Sequence, residues 1–152
     1  MRVANEILIP EFRQYLTERK EVLFTPSGVS MRPFIEGDRD SVVLTALEGE
    51  PRIGDILLVS VPVNGGTYVL HRLVRIENDE QGKAVYVLQG DGNLFGEERC
   101  NREDIIARIK AIKTPNGHRK PLTRGRLWFY LKPLRKWLLK IYRHTWLKWC
   151  YN

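Results

Sequence analysis

The feature that most restricts the fold is a succession of six short β-type runs, at residues 22–25, 41–47, 55–61, 67–77, 84–89 and 105–113. Val, Ile, Leu and Tyr dominate them, and turn-forming stretches at 26–28, 36–38, 64–66 and 90–93 separate them. Short runs of this kind, closed by Gly, Pro, Asn and Asp, predict a small antiparallel β-barrel or rolled sheet. The chain has 152 residues, 43% of them apolar, which suits one domain with its own core.

Both ends are predicted to be helical. Val3, Ile7, Leu8, Phe12, Tyr15 and Leu16 recur at helical spacing, so residues 3–20 predict one helix or two short ones around Pro10. Residues 114–125 have the composition of a linker. Beyond it, Leu127, Leu131, Leu134, Leu138, Ile141, Tyr142 and Trp149 form one helical stripe, while Arg135, Lys136, Lys140, Arg143 and Lys148 crowd the remainder. Residues 1–118 are expected to form the body and 119–152 a basic, aromatic helix.

Charge divides at the same place. The net charge is +7. Residues 119–152 hold ten Lys/Arg and no Asp/Glu, and the first 118 hold the other fifteen Lys/Arg against all eighteen Asp/Glu. A basic tail on a mildly acidic body points to an anionic partner. Trp128, Trp137, Trp146 and Trp149 beside Lys and Arg suit the headgroup level of a membrane better than nucleic acid, the disfavoured partner. No apolar leader and no run of about 18 apolar residues is present, so the expected location is the cytoplasm, peripheral on a membrane. Cys100 and Cys150 have no metal-binding spacing and are expected to be free thiols.

Three short motifs can carry chemistry. Ser30 lies in Ser27-Gly28-Val29-Ser30-Met31-Arg32-Pro33, a tight loop after a β run, where a hydroxyl can be exposed beside backbone N–H groups. His71 lies in Tyr68-Val69-Leu70-His71-Arg72-Leu73-Val74. A serine needs such a base within hydrogen-bond reach to become a nucleophile. Gly90-Asp91-Gly92-Asn93, followed by Glu97 and Glu98, offers carboxylates that could orient an imidazole. Singly, each has an ordinary structural account: a turn serine, a strand histidine and a β-turn.

Their order joins them. Gly28-Val29-Ser30-Met31-Arg32-Pro33, Gly37-Asp38, Gly54-Asp55-Ile56, His71-Arg72 and Gly90-Asp91-Gly92-Asn93 follow one another as in the signal peptidases and the LexA-like self-cleaving repressors. The chain resembles that superfamily over roughly residues 22–113. At the base box it resembles the archaeal and endoplasmic-reticulum signal peptidases, which use histidine where others use lysine. The nucleophile box is closer to the repressors.

The resemblance implies an endopeptidase with Ser30 as nucleophile and His71 as general base. It aligns Asp91 with the first acid of the last box and Glu97 with a later acid that is normally aspartate, and leaves open which serves the histidine. Backbone N–H groups near Gly28 and Ser30, with Ser27 as a side-chain donor, would form the oxyanion hole. No metal or organic cofactor is required, and the partner would be a peptide or precursor protein laid along a sheet edge. No membrane anchor precedes the nucleophile box, and about 20 residues cannot hold a helix-turn-helix domain, so the targeting is expected to differ from both relatives. A non-catalytic peptide-binding module and a basic-tailed nucleic-acid-binding regulator remain as alternatives. The oligomeric state is open.

Overall fold

The computed structural model describes residues 5–61, 67–120, 122, 128, 131 and 133–150, with the side chains of 11–142 within that set and of 144–145. A helix, α1 (Asn5–Thr17), leads into an antiparallel sheet rolled into a half-barrel. Its strands are β1 (Val22–Phe24), β2 (Ser41–Thr45), β3 (Ile56–Val61), β4 (Thr67–Asn78), β5 (Ala84–Gln89), β6 (Glu98–Cys100), β7 (Ile105–Lys113) and β8 (Arg119–Lys120). They run in the order β1-β2-β7-β3-β4-β5-β6, with β8 also paired to β7. A second helix, α2 (Arg135–Cys150), follows. The predicted mainly β architecture with a helix at each end is the one observed.

Both faces of the sheet are covered. One buries Val42, Leu44, Ile56, Leu58, Leu70, Ile109 and Ile112 against Phe12 and Leu16 of α1 and against Met31 and Ile35. The other buries Leu57, Val59, Val61, Leu73, Tyr86, Leu88, Cys100 and Ile105. Strand alternation sorts the residues: Leu57 and Val59 face one side, Ile56 and Leu58 the other. Each fully buried aliphatic side chain contributes about 1.5–3 kcal/mol.

Helix α1 runs through Pro10 as one element, the first of the two forms expected. The departures lie at the expected linker. Residues 114–118 are a hairpin turn rather than a linker: Thr114 N–H donates to the His118 carbonyl at 2.9 Å, and β8 pairs back on β7. The sheet therefore extends past the expected boundary at 118. The rest of the expected linker, apart from residue 122, lies outside the described residues, as do Leu127 and the Trp146 and Trp149 side chains.

One side of the tail is seated on the body. Trp128, Arg135 and Leu139 are buried against the body, and the Trp128 and Phe34 rings meet edge to face at 5.6 Å. Tyr142, on the same side of α2, brings its hydroxyl to 3.4 Å from Glu36 Oε2. The stripe of Leu134, Trp137, Leu138 and Ile141 stays exposed, with Trp137 at 70%.

Candidate active site

The loop between β1 and β2 carries Ser30. Met31 and Ile35 plug it into the core, and a string of turn hydrogen bonds shapes it, including Arg32 N–H to the Val29 carbonyl at 3.1 Å and Ile35 N–H to the Met31 carbonyl at 3.0 Å. The Arg32–Pro33 peptide is cis. Ser30 is half-buried, and its hydroxyl makes no hydrogen bond among the described residues. A cleft is lined by Pro26, Ser27, Gly28 and Ser30 on one side and by Tyr68, Val69, Leu70 and His71 on the other, so the expected nucleophile and base share one site.

His71 is buried in β4, and its Nδ1–H donates to Glu98 Oε2 at 2.7 Å. That bond leaves Nε2 as the ring nitrogen able to accept a proton, the arrangement a Ser–His–acid site would require. The register explains the pairing. His71 and Leu73 share a face of β4, Leu73 pairs with Leu88 on β5, and Leu88 pairs with Glu98 on β6. Glu98 thus lands on the histidine's face.

The carboxylate on the histidine is therefore neither of the two expected acids. Asp91 is buried with Arg72, which alternates to the opposite face and clasps it through Nε–H to Oδ1 at 2.8 Å and Nη2–H to Oδ2 at 2.6 Å. Glu97 accepts from both arms of Arg75, at 3.1 and 2.9 Å. The lysines that might replace a histidine base are committed on the surface: Lys20 to Glu18, Lys83 to Glu103 and Lys110 to Glu21. The Cys100 thiol is buried, and burial pushes it up to about 12, which keeps it protonated and unreactive. Among the described residues no cluster of His, Cys, Asp or Glu is suited to a metal.

The remaining sequence boxes hold the site by close backbone approach. A Cβ on Gly37 would sit 2.0 Å from the Gly28 carbonyl oxygen, and Asp38 N–H donates to the Pro26 carbonyl at 2.8 Å. The Gly54 carbonyl accepts from Arg72 Nη1–H at 2.9 Å, and Gly54 N–H donates to the Leu73 carbonyl. Gly92 N–H donates to the Ser30 carbonyl at 2.7 Å, and a Cβ on Gly90 would lie 2.5 Å from that same oxygen. Asp91 thus serves this frame rather than the imidazole.

A prediction follows for Gly90. Gly90→Ala drives a methyl into the Ser30 main chain, so it should cost about 1–3 kcal/mol of stability and displace Ser30. Urea midpoints together with the rate of fluorophosphonate labelling at Ser30 check both parts. A variant as stable and as reactive as the parent would remove the close approach from the account.

Ser27 and Gly28, two of the residues expected to form an oxyanion hole, line the cleft. Gly28 has φ 93°, open space where a Cβ would be, and an exposed backbone. The backbone N–H groups of Gly28 and Ser30 make no hydrogen bond among the described residues. No protein-family model and no curated protein matches the chain.

Proposed function

We propose that the protein is a serine endopeptidase of the signal-peptidase and repressor-cleavage type. The observation that carries this reading is the cleft shared by Ser30 and His71, with Glu98 2.7 Å from the far nitrogen of the imidazole. His71 Nε2 takes the Ser30 proton as Oγ attacks a peptide carbonyl. The N–H groups of Gly28 and Ser30, with the Ser27 hydroxyl, hold the oxyanion. Glu98 stabilises the imidazolium, which passes its proton to the leaving amine, and water releases the acyl group.

The substrate is a peptide or precursor segment in extended form. Residues Thr67–His71 of β4 pair with β3, while pairing with β5 begins only at Arg72. Among the described residues no strand pairs with the other edge of 68–71, and that edge borders the cleft. An extended chain can add there as a strand, with its scissile carbonyl carried past Ser30. Treating the folded protein with a fluorophosphonate and mapping the adduct tests the reading. The expected result is one adduct, on Ser30, lost on prior denaturation. No adduct, or one on another residue, would sink it.

We also propose that the protein works at the cytoplasmic face of a membrane, held there by α2. No described helix is long and apolar enough to cross a bilayer. Helix α2 turns Arg135, Leu139 and Tyr142 towards the body and leaves Leu134, Trp137, Leu138 and Ile141 outward. It contains Arg135, Lys136, Lys140, Arg143 and Lys148 and no acidic residue, which suits anionic lipid and disfavours a second copy of the same helix. Apolar insertion makes the binding partly resistant to salt.

Truncation of the tail would remove the buried Trp128, Arg135 and Leu139, so point changes on the outer stripe are the cleaner probe. Trp137→Glu with Ile141→Glu should weaken binding to phosphatidylserine vesicles more than about tenfold, since each buried side chain of this size contributes about 1.5–3 kcal/mol. Folding should be unaffected, because both residues are exposed. Co-sedimentation that is equal for parent and variant would refute the membrane role.

A further inference from the structure

Arg135, the first residue of α2, points inward and is buried. Its Nη2–H group donates to the carbonyls of Gly90 and Asp91 at 2.5 and 2.6 Å, its Nε–H to the Asp91 carbonyl at 3.1 Å, and its Nη1–H to Gln89 Oε1 at 3.1 Å. Trp128 Nε1–H adds a bond to the Asp91 carbonyl at 3.0 Å, and the Arg135 guanidinium stands 5.8 Å over the Trp128 ring. The turn held in this way is the one whose Gly92 N–H donates to the Ser30 carbonyl and whose Gly90 has no room for a Cβ against that oxygen. The 89–92 turn is thus pressed between Arg135 and the main chain of the nucleophile.

Stability alone accounts poorly for an arginine here. Its charge meets main-chain carbonyls and a glutamine, and the nearest carboxylate, Asp91, is already clasped by Arg72. Burial accordingly pushes the Arg135 guanidinium down from its ordinary value. An apolar side chain of similar volume would avoid that desolvation. What the guanidinium supplies is geometry: a planar fork that fixes several acceptors of one turn at once. A second arm of the same helix reaches the far side of the loop, where Tyr142 meets Glu36, and Glu36 accepts from Arg32 Nε–H at 2.8 and 2.9 Å.

We propose that Arg135 is a positioning residue for Ser30, setting the direction of its hydroxyl through the 89–92 turn. The inference rests on the peptidase reading above. Saturation kinetics of fluorophosphonate labelling test it on the full chain, comparing Arg135→Met, Arg135→Lys and Leu139→Val with the parent. A misplacement of about 1 Å costs on the order of 100-fold in rate, so Arg135→Met should lose about 10- to 100-fold in maximal labelling rate with an unchanged half-saturating concentration. Arg135→Lys, which keeps a donor for the carbonyls, should recover part of the loss. Leu139→Val trims a buried side chain one turn further along the same helix, makes no change to a hydrogen-bond donor of the turn, and should label at the parental rate.

A parental maximal rate for Arg135→Met, a lysine variant no better than methionine, or an equal loss for Leu139→Val would each overturn the proposal. If Arg135→Met does not fold, the lysine variant decides: a lower maximal rate at unchanged half-saturation supports the proposal, and a parental rate refutes it. A parent that is not labelled at all removes the peptidase reading and this inference with it. A labelled parent with indifferent Arg135 variants removes the inference alone.

Discussion

Ser30→Ala should leave a folded protein that no longer cleaves peptides. The side chain can be removed without structural cost, because the Ser30 hydroxyl makes no hydrogen bond among the described residues. What anchors this residue is its carbonyl, which accepts from Gly92 N–H and is untouched by the change. Stability should therefore move by no more than about 0.5 kcal/mol. The chemistry has no substitute: removing a serine nucleophile costs on the order of 10⁶ in turnover in enzymes that use one. Ser27 supplies the internal comparison, since its hydroxyl lines the same cleft. Ser27→Ala should keep the Ser30 adduct and lose at most about 10²–10³ in rate, the effect of one oxyanion donor. Mass spectrometry of an unstructured substrate protein, with denaturant midpoints for each variant, reads both outcomes. Cleavage by Ser30→Ala at the parental rate, or transfer of the adduct to Ser27 in the parent, would displace Ser30 from the mechanism.

Much of the sheet could be anticipated because its strands satisfy their local pattern. Residues 84–89 and 105–113 are found as expected, and the other four runs differ only at their ends. The two missed strands lack any such pattern. β6 is Glu98-Arg99-Cys100, and β8 is Arg119-Lys120; each exists through its partner strand. That omission had a consequence for the site. Without β6 no register connects Glu98 to His71, and position within the last sequence box points to Asp91 and Glu97 instead. The alternation available within β6, from buried Cys100 to Glu98, is the signal that would have identified it. Arg135 was hidden for another reason. In a helix carrying five Lys/Arg, the charge that turns inward is set by the docking of Leu139 and Tyr142 on the body, which depends on tertiary contact.

The partners of Glu98, Asp91 and Glu97 give the three acids different roles. Glu98→Gln keeps the size of the side chain and a hydrogen bond to His71, but removes the charge that stabilises the imidazolium and can favour the wrong tautomer. Loss of the acid's charge in a Ser–His–acid site lowers turnover by up to about 10⁴. The Glu98 side chain is 26% exposed, so water can stand in for part of its role. The expected loss is accordingly on the order of 10²–10³, short of that limit. His71→Ala should remove activity altogether, and Glu98→Gln in that background should cost nothing more, because the carboxylate acts only through the ring. Asp91→Asn should behave differently. It strips half of a buried ion pair and leaves Arg72 without its partner, a change that costs about 3–5 kcal/mol, so it should appear as a fall in Tm and in soluble yield. Glu97→Gln touches an exposed bond to Arg75 and should be nearly neutral in both respects. Turnover and Tm measured on these five variants, the double one included, separate these roles. If Glu98→Gln turns over normally while a folded Asp91→Asn is inactive, the bond from His71 to Glu98 is structural, and the acid of the site is Asp91.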